Sequence, residues 1–250
     1  MEFQTASVNQ ETFKKEDAYV IRDRASDDET IRYIDEQVSF ILNHRGLQHP
    51  FLREYSQEGL SEEQSKLLYL ETYFYFEYLP FYVSGISTIT RDEGILRSIV
   101  FNAADELGES ESHSDLYKKF LAKKGISQEE IENYECLPST TALNNGIRAL
   151  YSTPPIECAL GALFADETMS AAMVEKYNGG LIREGVSEEE RFFWILHIKV
   201  EVGHSNAVFN IISKYLKNPH GKKMFETGIK QYMHLMEKYW DGIEKKIAQK

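Results

Sequence analysis

Apolar residues recur along most of this chain at steps of three and four, the spacing that lines one side of an α-helix. Between Asp28 and His44 they fall at Ile31, Ile34, Val38 and Ile41/Leu42, and Gly46 follows as a stop. Ser61-Glu-Glu-Gln64, Ser127-Gln-Glu-Glu130 and Ser187-Glu-Glu-Glu190 each read as a capping box, which satisfies free N–H groups at a helix start. The pattern predicts helices over 28–44, 61–88, 91–107, 112–124, 139–151, 155–178, 188–217 and 221–248. Pro154 and Pro155 suit a first helical turn, Gly179-Gly180 a helix end, and Asn218-Pro219 a break between the last two helices. No convincing strand run, hairpin turn or internal repeat interrupts this order. Residues 1–25 are polar and aperiodic and read as an N-terminal tail. The expected fold is therefore all-α, with one helical domain over 26–250.

Composition narrows the class of function. Hydrophobic residues at 42% and charged residues at 27% are ordinary for a globular protein. Forty acidic against 28 basic residues give a net charge of -12, a field that repels nucleic acid, so no nucleic-acid partner is expected. The longest apolar run, Cys158 to Ala165, falls far short of the ~20 residues that span a bilayer, so no membrane partner is expected either. The first 25 residues lack the apolar segment of a secretory signal. Two cysteines, Cys136 and Cys158, make no disulfide framework, and a reducing cytoplasm is the expected location.

Tyr69, Tyr73, Phe74, Tyr75, Phe76, Tyr78, Phe81 and Tyr82 crowd one predicted helix. They suit packing inside a bundle and also an aromatic wall beside a pocket, since such a helix has more than one face. His197, Glu201 and His204 carry more specific chemistry. Steps of four and seven return to within about 40° of the starting direction, so the three side chains leave one face of the 188–217 helix. Trp194, Val200 and Val208 make that face apolar and turn it inward. Imidazoles and a carboxylate in a core are costly unless paired, and a divalent metal is the usual solution.

A second pair, Glu106 and His113, lies in DELGESESH, where Gly108 and the serines favour a local bend. Glu167 in FADE stands inside an otherwise apolar stretch. Three Glu and three His from three helices form the ligand stock of a carboxylate-bridged di-iron site. The mixed N/O set argues against zinc–thiolate and O-only calcium sites. The ferritin-like version uses Glu-x-x-His motifs, which are absent here. Asp105 and Asp166, each one residue before a candidate ligand, read as partners of those ligands or as surface acids.

At these residues the chain resembles the haem-oxygenase-like di-iron oxidases and oxygenases, which share a fold of about seven core helices with TenA (thiaminase-II) and PqqC proteins. Within that family it looks most like the branch of the chlamydial protein associating with death domains. The likeness runs from HPFLREYSQEGLSEEQ through YLETYFYFEYLPFYVSGI to ADELGESESHSDLYKKF and resumes at LFADET and HIKVEVGHSNAV, roughly 49–125 and 155–215. It implies that Glu106, His113, Glu167, His197, Glu201 and His204 hold two irons, with Glu201 in place of an aspartate.

The resemblance further implies O2 as co-substrate, a peroxo-di-iron intermediate, and N-oxygenation, oxidative C–C cleavage or decarboxylation of a small amino acid, amine or carboxylic acid. The chlamydial branch resembles a self-sacrificing para-aminobenzoate synthase, but the positions matching its consumed tyrosines are Leu52, Asp166 and Phe193. That reaction is therefore not expected. Tyr55 or Tyr73 would be the stand-ins. Arg148, set among apolar residues in LNNGIRALY, is the first candidate to hold an anionic substrate, ahead of Arg183 and Arg191, and Tyr73 is a second substrate contact. A homodimer and an electron donor stand as possible further partners. The alternatives are a metal-independent TenA- or PqqC-like enzyme, which in the TenA case needs an activated cysteine, and a non-enzymatic helical interaction module. Iron storage would need a cage-forming assembly.

Overall fold

The computed structural model describes residues 28–108, 110–198 and 212–249, and no strand occurs among them. The helices are α1 (Asp28–Asn43), α2 (Pro50–Glu58), α3 (Glu62–Phe76), α4 (Leu79–Gly85), α5 (Glu93–Leu107) and α6 (His113–Lys123). They continue with α7 (Gln128–Glu132), α8 (Pro138–Ser152), α9 (Ile156–Arg183), α10, described over 192–198, and α11 (Pro219–Ile247). This exceeds seven core helices partly because α4 and α7 are only 7 and 5 residues long. The proposed tail, 1–25, lies outside the described residues.

The capping boxes form as their spacing requires. The Ser61 N–H donates to Gln64 Oε1 at 3.2 Å, Ser127 N–H to Glu130 Oε2 at 2.8 Å, and Ser187 N–H to Glu190 Oε2 at 3.0 Å. After Ser187 the chain makes one turn before the helix at 192, so the expected start at 188 is late by that turn. Two other expectations need correction. The helix expected over 61–88 breaks at Glu77–Tyr78, because Pro80 lacks an N–H and sits in the first turn of a new helix, α4. Helix α2 carries no Ser/Thr/Asp/Asn start signal. Its N-cap is the buried His49, whose Nδ1 accepts the Phe51 N–H at 3.3 Å, with Pro50 in the first turn.

Helix α9 is the centre of the bundle, buried along most of its length and packed against α2, α8 and α11. Small residues set how closely its neighbours approach. A Cβ on Gly161 would lie 2.0 Å from the Phe225 carbonyl, and one on Gly228 would lie 1.9 Å from the Cys158 carbonyl, so α9 and α11 meet backbone to backbone. Gly179-Gly180 serves the same end and does not stop the helix. The Ser56 hydroxyl and the Tyr55 ring of α2 lie where their Cβ atoms would be, and α9 runs on to Arg183 before Gly185 at φ +75 turns the chain. No helix among the described residues is long and apolar enough to cross a membrane.

Gly228→Ala should force α9 and α11 apart and cost about 1–3 kcal/mol or more. The check is a urea melt, where the midpoint falls with the slope unchanged.

Candidate metal centre

Glu106 lies in the last turn of α5, and Gly108, at φ 61, turns the chain there because any Cβ would meet the Glu111 carbonyl at 2.2 Å. Ser112 then caps α6, exchanging hydrogen bonds with Asp115, and His113 is the first residue of that helix. The Glu-x6-His pair is thus joined across a bend, as Gly108 and the serines suggested. Glu106 Oε2 and His113 Nδ1 stand 2.8 Å apart.

His197 enters from α10. Its Nδ1 lies 2.7 Å from the Phe193 carbonyl, an acceptor only, so Nδ1 carries a hydrogen and Nε2 presents a lone pair in the neutral ring. That Nε2 faces His113 Nδ1 at 3.1 Å, and the two rings meet edge to face with centroids 4.4 Å apart. One atom each of Glu106, His113 and His197 falls within a 4.8 Å span, with His197 buried and the others about seven-eighths buried.

Three ligand atoms converging in this way suit a cation. One imidazole has its lone pair fixed inward by a backbone carbonyl, and a carboxylate closes the set at the C-terminal end of α5, where the helix dipole also favours positive charge. A metal ion therefore fits the residues present, and the N/O donor mixture suits iron.

Glu167 is buried on α9 and reaches α5 one turn earlier, where Asn102 Nδ2 donates to its Oε1 at 2.8 Å. Asn102 was not singled out in the sequence, and its only signal is the spacing of one turn from Glu106. Glu201 and His204 lie outside the described residues. Arg148 is exposed on α8, where its charge acts on Tyr82, and it joins neither the donors nor the cavity beside them. Tyr73 is buried and donates to Glu77 Oε1 at 2.6 Å. Glu77, Phe76, Glu106, Ser112, Asp115 and Lys118 help line a cavity of about 210 Å³. Of the aromatic helix, Tyr69, Tyr73 and Tyr75 are core, while Phe76 both borders this cavity and lies 6.1 Å from the His197 ring.

Asp105 is exposed, but Asp166 is no surface acid. It is buried and accepts the hydroxyls of Tyr75 (3.2 Å), Tyr151 (2.8 Å) and Tyr232, one from each of α3, α8 and α11. Burial first, then the neighbouring Glu167, pushes its carboxyl up to about 7, against the pull of the three phenols.

Residues 68–236 match the model of a family described as iron-containing redox enzymes. The chain belongs to that family. As a member it is an oxidoreductase, and the iron answers the donor set just described. It is 47% identical to 4-chloro-allylglycine synthase of Streptantibioticus cattleyicolor, over 89% of this chain and 87% of that protein. A 4-aminobenzoate synthase of Chlamydia pneumoniae is 27% identical over 70% of this chain and 78% of that protein. The expected closeness to the chlamydial branch is thus corrected to a more distant relation. Among solved structures, a CADD-like protein of unknown function from Nostoc punctiforme superposes with a TM-score of 0.75 at 16% identity, covering 87% of this chain and 98% of that one. A TenA homologue from Pseudomonas syringae gives 0.69 at 15%, covering 87% and 91%. This redox enzyme therefore has the haem-oxygenase-like fold.

The raised Asp166 carboxyl sets a pH dependence. Folding holds its proton between pH 3.8 and about 7, so this group's contribution to stability falls as pH rises through that window. Metal-free Asp166→Asn should lose that part of the slope, read from melting temperatures across the range beside the parent protein.

Proposed function

We propose that this protein is an O2-dependent non-haem di-iron oxidase or oxygenase acting on a small amino acid. The observation that carries the reading is the convergence of Glu106, His113 and His197 around an inward-facing imidazole lone pair. Glu167, Glu201 and His204 complete the proposed ligands, and His113, His197 and His204 hold the irons while the carboxylates balance charge. The bound irons supply O2 activation. The name of the Streptantibioticus relative, 4-chloro-allylglycine synthase, favours an amino acid as substrate.

The chain's own residues bind and orient the substrate. The cavity beside Glu106 holds Glu77 and Asp115, and its cation, Lys118, is paired with Asp115 at 3.5 Å. Such a lining suits an ammonium group better than a carboxylate. Tyr73 holds one oxygen of Glu77, which aims the acid at the cavity. Phe76 and Phe81 add apolar surface to the cavity lining.

The cysteine-dependent alternative is disfavoured. Burial, then Glu71 and Glu77, pushes the Cys136 thiol up to about 12, and burial raises Cys158 as well, so neither is an activated thiolate.

Anaerobic loading with Fe(II) should give about two irons per chain. His197→Ala and His204→Ala should each lower that content, measured by metal analysis, and a parent protein that retains no iron would overturn the reading. Glu77→Gln should remove about 1.5–3 kcal/mol of substrate binding, so that KM for an amino-acid substrate rises about tenfold or more with little change in kcat.

A further inference from the structure

One chain of oxidisable rings leads away from the candidate centre and ends on a carboxylate that the site does not use. Trp194 lies three residues before His197 on α10, and the Phe76 ring touches both, with centroids 6.1 Å from each. The Trp194 indole stacks on Tyr177 of α9 with centroids 4.0 Å apart and planes 10° apart, and Tyr177 meets the Tyr55 ring at 5.2 Å. Tyr55 fits there because Gly180 leaves the backbone of α9 open beneath it.

At the far end stands Glu184, whose carboxylate accepts the Tyr69 hydroxyl, the Ser65 hydroxyl and, at 3.2 Å, the Leu60 N–H. Its charge also acts on Tyr55. Glu184 is only partly buried, so this end of the chain lies close to solvent.

The hydrogen bonding distinguishes the two ends. Trp194 Nε1 is buried without a hydrogen-bond partner, and the Tyr177 hydroxyl faces only the neutral hydroxyls of Thr72 and Tyr117, so no carboxylate takes a proton from either ring. They suit the passage of an electron and not its final loss. Tyr69 differs from both: its hydroxyl donates to the Glu184 carboxylate, and its ring reaches Trp194 through Phe120, with centroids 5.0 Å and 6.1 Å apart.

We propose that Tyr69, Tyr55, Tyr177 and Trp194 form a one-electron relay to the iron centre, with Tyr69 as terminal donor and Glu184 as its proton acceptor. This rests on the di-iron reading above. In the step, the Tyr69 O–H proton moves to Glu184 Oε2, and one electron passes by way of Tyr55 and the Tyr177–Trp194 stack towards a bound, oxidised iron. That electron would lower the bound iron by one oxidation level, and Tyr69 becomes a neutral phenoxyl. A low-molecular-weight one-electron reductant at the surface restores Tyr69, the proton returning from Glu184. The relay discharges a centre oxidised without substrate in place, before it attacks its own ligands.

The experiment loads the full chain with Fe(II) under argon, mixes it with O2 without substrate, and freezes samples for electron paramagnetic resonance. The expected result is a phenoxyl signal, identified by its narrowing when ring-deuterated tyrosine is incorporated. Tyr69→Phe should abolish it, while Glu184→Gln and Trp194→Phe should slow its appearance about tenfold. Each variant is compared at matched iron content and helical circular dichroism, and Tyr82→Phe, away from the chain, should leave the signal unchanged.

Bound, oxidised iron with no radical in the parent protein would overturn the relay and leave the di-iron reading standing. A signal that survives Tyr69→Phe but vanishes in Tyr232→Phe would move the donor to the Asp166 cluster and overturn it too. A chain that binds no iron removes both readings together.

Discussion

A carboxylate taken out of water must be met by donors, and much of this core is arranged around that requirement. Glu71 is fully buried and accepts the hydroxyls of Tyr134 and Thr140 and, at 3.0 Å, the Leu137 N–H, which fastens the start of α8 to α3. Asp166 gathers phenols from three helices, and Glu184 gathers hydroxyls and an N–H that tie the end of α9 to α3. In each case neutral hydroxyls and backbone amides do the satisfying. Tyrosine suits the task because it carries a large apolar body and a single directed donor.

The candidate metal centre is arranged differently. Here the carboxylate of Glu106 meets imidazoles, one of which has its hydrogen committed to a backbone carbonyl and turns a lone pair towards the group. A proton on His113 Nδ1 or a bound cation meets the acceptors gathered there, and a cation meets all of them at once. Histidine meets acids at one other place among the described residues, where His49 Nε2 lies 3.1 Å from Asp241 Oδ1, but two imidazoles converge on a carboxylate at the candidate centre, which a metal ion suits. The iron-containing redox family and the donor set lead to the same conclusion from different directions.

How much of this the sequence disclosed depended on whether the signal was local. Capping boxes are contained in four residues, and Ser61, Ser127 and Ser187 all form theirs. The bend between Glu106 and His113 was legible in Gly108 and the serines for the same reason. Gly179-Gly180 misled because a glycine pair signals either a helix end or a close approach, and only the position of Tyr55 and Ser56 decides between them. Asp166 was read as a partner of a ligand or a surface acid, since its phenols come from residues 91, 15 and 66 positions away. Arg148 looked like an anion site from its apolar neighbours, yet those neighbours line the inner side of α8 while Arg148 faces water.

The electrostatic balance of the molecule bears on its substrate as well as on its metal. A net charge of -12 repels anions from the whole surface, and the cavity beside Glu106 deepens that effect with Glu77 and Asp115. A fatty acid would enter against both fields and meet no unpaired cation among the cavity residues named here. An amino acid can lead with its ammonium group, which the same fields draw in. A metal held by Glu106, His113 and His197 would be the strongest positive charge near the cavity and would meet whatever anionic group follows. Acidity that first looked like a mere exclusion of nucleic acid thus becomes a selection for cationic ligands, metal and substrate alike.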